Sequence, residues 1–600
     1  MSKSTLWGST LGASLIIGSL WTVPALTQSG AAATGSAMLQ GTVKSAAGAA
    51  LEGVIVSARS SNETWTTSVY SDRQGNYSFP SLPAGQYSMM AQFKGYEAAK
   101  ADVSVANGRQ NRDLTLKPYT DQRIIANQLD GPDWFAALPE GNNQDRRMKN
   151  LLRNNCTACH GPAYTLAPRF DERGWRIMID TMARGVPPTR PPGEGNPTWQ
   201  AYKDELAEYL GRVSPTLEPK PQPQTSGAAT RMVITEFDIP RQGRPISAHS
   251  GTDWALGQST RYESKGARDI WVDKQGRLWV SDDRSMGRTT GMLDPKTGKW
   301  TDYAMPNDKG VAGSSHGIWG DRQNDLVYQG GQADGAILMF DIKSEQFVHF
   351  SRPQNIPRGG GHIDVDSKGN AWTPADGGAL KLDAKTGTYT YYPAVFESSV
   401  REGDRDQYGL AVDSQDNVWI ARPGAESVAW IDTKTGKSGH VKFEPLVMAG
   451  LTEKDRTVQV GMNMGPPNGR GPRRLGSGGK NGGNYMWVAL NKSDELARVD
   501  INTKQVKTYP LPQGSAPYFA TVDKNGMVWI PPQNADRIFK FDPKTEQMTE
   551  YQLPTRGTDL RHLSVDDSTN PPTIWITYNR SNKIARLQER PAGAQQTAAR

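Results

Sequence analysis

The sequence predicts a mainly β protein of three domains: a small β-sandwich, a short all-α domain and a C-terminal seven-bladed β-propeller. Short β-rich runs fill residues 38–118, helical periodicity is confined to residues 145–213, and a repeat occupies residues 229–588. A chain of 600 residues is too long for one hydrophobic core, so several domains are expected. The 62 glycines, 40 prolines and 17 tryptophans are typical of a turn-rich β protein.

Residues 1–37 have the features of an export signal. Lys3 supplies a short positive region, and the apolar run at residues 11–21 is too short for a comfortable membrane span. Small residues follow, so cleavage is expected near Ala25 or within residues 30–37, and an uncleaved membrane anchor is the alternative. We therefore expect a periplasmic or secreted bacterial protein.

Residues 38–118 alternate short β-rich runs with turn signals such as SDRQG at 71–75 and LPAG at 82–85. The arrangement GTV…GVIVSAR…SDRQGNYSFPSLPAGQYSMMAQFKGYE resembles the carboxypeptidase regulatory-like, transthyretin-like domain. The resemblance implies a β-sandwich that serves folding, adhesion or docking. The residue pattern of this module suggests no catalytic constellation.

A linker rich in Asp, Gly, Pro and Asn is predicted at residues 119–144, and the most specific motif of the chain follows it. The two cysteines of the chain lie in CTACH at residues 156–160, a CxxCH sequence that attaches c-type haem. Cys156 and Cys159 would each form a thioether with a haem vinyl group, and His160 would bind the iron from the proximal side. A zinc site would need a second ligand pair, and a thioredoxin-like pair would need a βαβ context.

The domain at residues 145–213 is predicted to be helical around this motif. Amphipathic patterns cover residues 146–155, 172–185 and 199–212, and the second places Trp175, Met178, Ile179 and Met182 on one face. A short helical domain whose last helix packs over the first resembles a small monohaem cytochrome c. The resemblance implies one covalent haem c and electron transfer.

The distal iron ligand is sought by elimination. This domain has no histidine besides His160, and its methionines are Met148, Met178 and Met182. Met148 precedes the CxxCH motif, so its helix carries it away from the distal face. We predict Met182 as the distal ligand, with Met178 as the alternative and an open or water-bound iron as the third option.

A stretch rich in Pro, Gln and Ser at residues 214–228 predicts a stiff linker, and the propeller array at 229–588 and a tail at 589–600 follow. One half-motif is Asp-x-x-Gly-x-x-Trp, and the other is a strand with an Asp-x-Lys-Thr-Gly turn. The aromatic anchors of the seven copies are Trp279, Tyr328, Trp372, Trp419, Trp487, Trp529 and Trp575. Because the last copy stops early, residues 232–240 are predicted to complete the last blade.

The repeat resembles the propeller of streptogramin B lyase (virginiamycin B lyase), on an HGI…D…W pattern followed by Asp-x-Lys-Thr-Gly. The resemblance implies the fold, and it suggests histidines and an acid around a divalent metal. His316 lies in the matching HGI context, whereas His362 and His562 match only approximately. A shared propeller is weak evidence for a shared reaction.

In a propeller, the residues four or five before each repeat Asp point toward the axial channel. His316, His362 and His562 are the candidate catalytic residues there. The other predicted channel residues are Arg268, Asp269, Tyr408, Arg473, Arg474, Tyr518, Phe519 and Arg561. Such a ring suits an anionic ligand or a divalent metal held by histidines, and a channel that holds only water is the alternative.

One blade is long, because 68 residues separate Trp419 from Trp487. The extra Gly- and Arg-rich stretch, residues 443–484, is predicted to be a lid or a partner surface. Its glycine runs lack the strand–loop–helix context of a phosphate loop, which argues against nucleotide binding.

The net charge of +7 is spread along the chain with acids between the bases, which argues against nucleic acid as a partner. Our first interpretation is a haem protein that transfers electrons, with a propeller that binds a substrate or a redox partner protein and acts as an oxidoreductase module. A metal-dependent lyase with an accessory haem is the second interpretation. A non-enzymatic binding scaffold is the third.

Overall fold

A computed structural model of the protein is mainly β, as predicted. The structure describes residues 37–106, 108–157, 160–184, 197–240, 252–257, 267–282, 289–306, 316–330, 334–394, 407–458 and 464–591. Except for its last residue, the predicted export signal lies outside the described residues, as do Cys159 and the end of the tail. None of the helices in the described ranges is long and apolar enough to cross a membrane.

The first unit consists of two sheets around one core. Its strands are β1 (Ala37–Ser45), β2 (Ile55–Ser60), β3 (Trp65–Tyr70), β4 (Asn76–Ser78), β5 (Gly85–Gln92), β6 (Ala99–Val105), β7 (Gly108–Asn111) and β8 (Leu114–Leu116). One sheet has the order β4-β1-β7 with β8 also on β1, and the other has the order β3-β2-β5-β6. Alternate side chains such as Val43, Val56 and Tyr77 fill the space between the sheets, as expected of a sandwich.

Seven four-stranded antiparallel sheets follow, and each of the first six is a consecutive meander. Their strands are β10 (Ala267–Val272), β11 (Leu278–Asp282), β12 (Thr289–Asp294), β13 (Lys299–Ala304); β14 (Ile318–Asp321), β15 (Leu326–Gln329), β16 (Ile337–Asp341), β17 (Gln346–Phe350); β18 (Asp364–Val365), β19 (Ala371–Ala375), β20 (Gly378–Asp383), β21 (Thr388–Pro393); β22 (Leu410–Val412), β23 (Val418–Arg422), β24 (Ser427–Ile431), β25 (Ser438–Lys442); β26 (Pro472–Gly476), β27 (Tyr485–Leu490), β28 (Glu495–Asp500), β29 (Val506–Pro510); β30 (Thr521–Val522), β31 (Val528–Ile530), β32 (Arg537–Asp542), β33 (Gln547–Gln552); and β34 (Leu560–Asp566), β35 (Thr573–Tyr578), β36 (Lys583–Glu589) with β9 (Met232–Asp238). We number these sheets as blades 1 to 7. Their first strands pack side by side around a common axis, which gives a propeller-like ring.

The repeat motif has a direct physical explanation in the turn between the first two strands of a blade. In blade 4, one carboxylate oxygen of Asp413 accepts the backbone N–H groups of Gln415 and Asn417, each at 2.9 Å. The other oxygen accepts the indole N–H of Trp419 at 2.8 Å. The same Asp–Trp bond recurs at 2.9 to 3.0 Å in blades 1, 3 and 6. The repeat glycine adopts φ = +80° at Gly276 and at Gly526, a conformation that favours glycine.

Replacing Asp413 by Ala is expected to destabilise the propeller, because it leaves buried donors without their acceptor. Each buried N–H that loses its acceptor costs about 1–3 kcal/mol of the free energy of unfolding. Asp432→Ala is the matched control, since its carboxylate caps the exposed turn of the same blade. Denaturant unfolding followed by tryptophan fluorescence measures both, and equal losses would refute this role of the motif.

The ring closes as the sequence predicted, because β9 pairs with β36 as the outer strand of blade 7. The opposite edge of β9 pairs with β3 of the sandwich, with Phe237 opposite Trp65. Blade 7 and one sandwich sheet therefore form a continuous eight-stranded sheet. This pairing covers the outer edge of blade 7 and fixes the sandwich to the propeller.

The third unit is helical and lies between the sandwich and the propeller in sequence. Its helices are α1 (Gln122–Asn127), α2 (Gly131–Ala136), α3 (Asn143–Asn155), α4 (Pro162–Leu166), α5 (Glu172–Arg184) and α6 (Pro197–Val213). The helices α3, α5 and α6 coincide with the amphipathic patterns predicted at residues 146–155, 172–185 and 199–212. The sequence predicted a linker at residues 119–144, where the structure has α1 and α2. These helices form there because Trp134 and Phe135 are buried in the same core as Trp175.

The long insertion of blade 5 holds the helical unit against the propeller. It contains the helix α7 (Glu453–Thr457), in which Asp455 accepts two hydrogen bonds from the buried Arg147 of α3, at 2.6 and 2.8 Å. The hydroxyl of Tyr202 on α6 donates to the same carboxylate at 2.9 Å. Asn155 at the end of α3 donates to the backbone oxygen of Gly465 at 3.1 Å. The predicted partner surface thus contacts a partner within its own chain.

A buried charge cluster joins all three units at one point. Asp130 and Asp133 at the start of α2 form ion pairs with Arg537 of blade 6. The Arg537 guanidinium lies 2.9 Å from Asp130 and 3.3 Å from Asp133. Lys94 of the sandwich lies 2.7 Å from Asp133, and Arg556 lies 4.0 Å from Asp130. None of these five side chains is more than 4 % exposed. The predicted linker at 214–228 is also anchored here, where Gln222 N–H donates to Asp133 at 2.7 Å.

Candidate functional site

The helical unit encloses an apolar cavity of about 490 Å³. The helix α3 ends at Asn155, and the backbone N–H of the next residue, Cys156, donates to the backbone oxygen of Leu152 at 2.8 Å. Cys156 and the helix α4, which begins at Pro162, lie on one side of the cavity, and α5 and α6 form the opposite walls. The apolar and aromatic part of the lining includes Trp134, Ala163, Tyr164, Phe170, Trp175, Ile179, Trp199, Leu206 and Leu210. A cavity of this size and lining is typical of a cofactor site.

The structure brings most of the predicted haem residues to this cavity. Cys156 and His160 line it on the side of α3, and Met178 and Met182 line it from α5. The imidazole of His160 stacks on Tyr164 with ring centroids 4.9 Å apart. Both candidate distal ligands reach the cavity, so the alternative between them stays open. Met148 is buried in the helical core and does not belong to the lining, as the sequence indicated.

A second candidate site is the axial channel of the propeller. One group of side chains there, which we call the cationic layer, consists of Arg268, Arg473, Arg474, Arg561, Tyr408 and Tyr518. The hydroxyls of the two tyrosines are hydrogen-bonded to each other, and Arg268 donates to Tyr408 at 3.2 Å. The guanidinium carbon of Arg473 lies 4.1 Å from the ring centroid of Tyr408. All four arginines are buried, although the sequence alone placed them only near the axis.

Next to the cationic layer lies what we call the histidine layer, formed by His316, His362, His562 and Asp269. Ligand atoms of Asp269, His362 and His562 all lie within 4.8 Å of one another, and all three residues are buried. His316 is outside this group, and its Nδ1 lies 3.4 Å from Arg474. Both carboxylate oxygens of Asp269 accept from Arg474, each at 2.9 Å. The channel therefore holds a potential metal-ligand set whose acid is already engaged by an arginine.

The three imidazoles of the histidine layer are neutral at neutral pH, whereas Arg474 holds the pKa of Asp269 below its usual value against the effect of burial. Burial, followed by the neighbouring arginines, holds the pKa values of His316 and His362 well below their usual range. Burial likewise lowers the pKa of His562 to about 4. Backbone N–H groups donate to Nδ1 of His362 at 3.0 Å and to Nδ1 of His562 at 3.5 Å. Because those nitrogens act as acceptors, the proton of each neutral ring lies on Nε2, which makes the rings hydrogen-bond donors there.

A cavity of about 330 Å³ continues from the histidine layer toward the repeat turns. His362, Phe519 and His562 line its inner end, and Asp364 lines its wall. Burial raises the pKa of Asp364 to about 7, although the carboxylate accepts backbone N–H bonds from Val412 and from Val365, each at 2.8 Å. Sequence reasoning missed this acid. The available signal was a carboxylate two residues before a repeat Asp, where other copies have Trp, Ala, Thr or Ser.

The CxxCH motif packs against the propeller at blade 6. The backbone N–H of Tyr518, in the cationic layer, donates to the backbone oxygen of Pro531 in this blade at 3.1 Å. Three residues after Pro531, the side chain of Asn534 donates to the backbone oxygen of Thr157, which follows Cys156, at 2.9 Å. Thr157 is thus docked on blade 6, near the end of the blade at which Tyr518 lies. The sequence contained no signal for Asn534, because its role depends on the docking of two units.

Comparisons with known proteins identify one module. Residues 38–117 match the carboxypeptidase regulatory-like domain, which confirms the resemblance predicted for the sandwich. No curated protein matches the chain.

The solved structures similar to this chain include propeller proteins. Virginiamycin B lyase from Staphylococcus aureus shares 13% identity at a TM-score of 0.43, over 60% of this chain and 99% of its own. A streptogramin B lyase shares 17% identity at a TM-score of 0.45, over 61% of this chain and 100% of its own. The WD40 propeller domain of Doa1 shares 13% identity at a TM-score of 0.39, over 55% of this chain and 94% of its own.

Proposed function

We propose that the protein is an exported c-type haem protein that transfers single electrons, with the propeller as its substrate- or partner-binding module. One observation carries the proposal: Cys156 and His160 of the CxxCH motif line an apolar cavity that two methionines face from the opposite helix. Neither a zinc site nor a redox dithiol needs such a cavity. The redox partner is another protein or the small-molecule ligand of the propeller.

The residues around the cavity fit a covalent haem c. Cys156 and Cys159 would supply the two thioethers, His160 the proximal ligand, and Met182 or Met178 the distal ligand. Haem iron, when bound, alternates between its ferric and ferrous states and so carries one electron. Trp134, Leu206 and the other apolar side chains of the lining would exclude water from this site. A dry surrounding and a soft thioether ligand both raise a reduction potential.

The docking of the helical unit supports a role for the propeller in the same reaction. The CxxCH segment contacts blade 6 through Asn534, and Asn155 contacts the insertion of blade 5 through Gly465. These bonds hold the CxxCH segment against blade 6 and the insertion of blade 5. We infer that an electron exchanged with a molecule at the channel has a short route to this segment. The sandwich, joined to blade 7 through β3, would serve as a docking module.

The proposal is tested by the visible spectrum of protein purified from a bacterial host that matures c-type cytochromes. Covalent low-spin haem that is reduced by dithionite and reoxidised supports electron transfer. Protein that carries no covalent haem after such expression would refute the proposal.

Met182→Ala is expected to convert the haem from low spin to high spin, because the iron loses its soft distal ligand. Met178→Ala is the matched control from the same helix and the same cavity wall, and it is expected to keep the low-spin spectrum. The reverse outcome would assign the distal position to Met178. A low-spin spectrum in both single variants and in the double variant would contradict methionine ligation.

A metal-dependent lyase is the second candidate, favoured by the grouping of Asp269, His362 and His562. In that function a divalent metal would polarise an ester or lactone carbonyl, and His316 would remove a proton. The two-oxygen contact between Asp269 and Arg474 opposes it, since the acid is not free to bind a metal. Stoichiometric metal in purified protein, lost in His362→Ala, would favour the lyase. Ligand binding without haem reduction or metal would leave a non-enzymatic scaffold.

A further inference from the structure

We propose that the axial channel is a binding site for a small oxyanion, a carboxylate or phosphate group, held by the cationic layer. This inference rests on the proposed function only in treating the propeller as the ligand-binding module. It does not depend on haem. Water and a divalent cation are the alternative occupants of the channel, and the geometry and charge of the layer favour an anion over both.

Guanidinium donors from three blades converge on the cationic layer. Arg268 and Arg561 come from blades 1 and 7, Arg473 and Arg474 come from blade 5, and all four start the inner strands of their blades. Each is at most 9 % exposed. Guanidiniums are the side chains best suited to carboxylate and phosphate oxygens, because their N–H groups form a rigid fork. Arg474 pairs with Asp269 and Arg561 pairs with Asp559, so four guanidiniums face two buried carboxylates.

The ionisation of Tyr518 reflects the electrostatic potential within the cationic layer. Burial acts to raise the pKa of this phenol, yet Arg473, Arg561 and their neighbours hold it well below its usual range. The same field, added to burial, lowers the pKa of His316. A field that favours a phenolate favours any oxyanion that replaces it, and it opposes a divalent cation.

Two neutral imidazoles beside the cationic layer are arranged as hydrogen-bond donors. His362 accepts the backbone N–H of Leu410 on Nδ1, so its Nε2 carries a proton and is a donor. His562 is arranged in the same way toward Ile270. Metal binding through Nε2 would need the other tautomer of each ring and the loss of these hydrogen bonds. An anion needs no such change.

The aromatic rings add a preference for an organic acid over an inorganic ion. Tyr408 and Tyr518 stand edge to face with centroids 6.1 Å apart, and Phe519 stacks on His562 at 4.4 Å. The tyrosine rings belong to the cationic layer and the Phe519 ring lies next to it, so these rings would contact the carbon skeleton of a ligand whose oxygens meet the guanidiniums. Inorganic phosphate and benzoate therefore share the charged subsite, and only benzoate would use the rings.

The test is calorimetric titration of the full-length protein with potassium phosphate, potassium benzoate and potassium chloride at one ionic strength. Phosphate and benzoate are expected to bind and chloride is not. Arg473→Met should lower the affinity for both anions about tenfold to hundredfold, which is the effect expected when one charged hydrogen-bonding group is lost. Arg498→Met is the matched control, because that guanidinium lies 4.6 Å from the Tyr485 ring away from the channel, and it should leave both affinities unchanged.

Two further measurements keep the inference testable if Arg473→Met folds poorly. Tyr518→Phe keeps the ring and removes the phenol that competes with the anion for the guanidiniums, so it should not weaken the binding of either anion. Arg473→Lys should retain part of the wild-type affinity. Identical weak heat for all three salts in the wild type would overturn the inference. Heat from Zn²⁺ that is lost in His362→Ala, without a response to anions, would overturn it in favour of the lyase.

The experiments distinguish a failure of the haem proposal from a failure of the anion site. Protein without covalent haem that still binds phosphate or benzoate would refute electron transfer and leave the anion site standing. Haem-loaded protein that binds neither anion would refute the anion site and leave electron transfer standing.

Discussion

Protein carrying both Cys156→Ala and Cys159→Ala is expected to contain no covalently bound haem while its propeller stays folded. The two thiols are the cysteines of the whole chain, so no other residue can replace the thioethers. The propeller cores lie apart from the helical core, and blade 7 is closed by β9 without help from the haem cavity. Haem absorbance that survives denaturation and acid extraction measures the loss, and far-ultraviolet circular dichroism measures the fold.

Met148→Leu provides the control for this experiment. Met148 is 1 % exposed in the core of the helical unit and lies outside the cavity lining, so the substitution perturbs the same unit without touching the proposed site. Its haem content and spectrum are expected to equal those of the wild type. Extraction-resistant haem in the double cysteine variant would show that attachment does not use the motif, and the haem proposal would then fail.

Contacts at blade 6 place the helical unit near the cationic layer. The CxxCH segment contacts Asn534 at blade 6, and the cationic layer begins one strand away at Tyr518. A reaction in which an anionic molecule at the channel exchanges an electron with haem would need this arrangement. If the units were free to separate, the distance between the two sites would vary and the exchange would slow.

The sequence was most informative where one residue type has one physical use. Asp and Trp six residues apart indicated the blades, because a carboxylate that closes the turn also accepts the indole N–H. The early end of the last copy indicated that residues 232–240 close the ring, and β9 confirms it. The pattern of short strands and turns at residues 38–118 was sufficient for the sandwich.

The sequence was least informative about contacts between units. The segment at residues 119–144 has the composition of a linker, yet Trp134 and Phe135 make it part of the helical core. Asp130 and Asp133 carried no signal, because their partners Lys94 and Arg537 lie in other units, far apart in the chain. Ion pairs between separate units have no characteristic spacing in the sequence. Asp364 was missed for a related reason, since its burial depends on the closed ring.

Arg537→Met is expected to lower the free energy of unfolding by about 3–5 kcal/mol, because it leaves a buried acid pair without its main partner. Burial acts to raise the pKa of Asp130, but Arg537 and Lys94 hold it well below its usual value. A carboxyl with a depressed pKa stabilises the fold above its usual pKa, and this contribution is lost as the pH falls. The variant should therefore lose less stability than the wild type on acidification.

Lys507→Met is the matched control, because Lys507 pairs with Glu546 on the surface, where the side chains are 50 % and 43 % exposed. Its cost should stay below about 1 kcal/mol. Adding Asp130→Asn to Arg537→Met should recover part of the loss, since the second change removes the unpaired charge. Limited proteolysis should cut Arg537→Met first near α2, where the three units meet. Equal stabilities of Arg537→Met and Lys507→Met would show that the buried cluster does not hold the units together, and the fixed distance between the two sites would lose its physical basis.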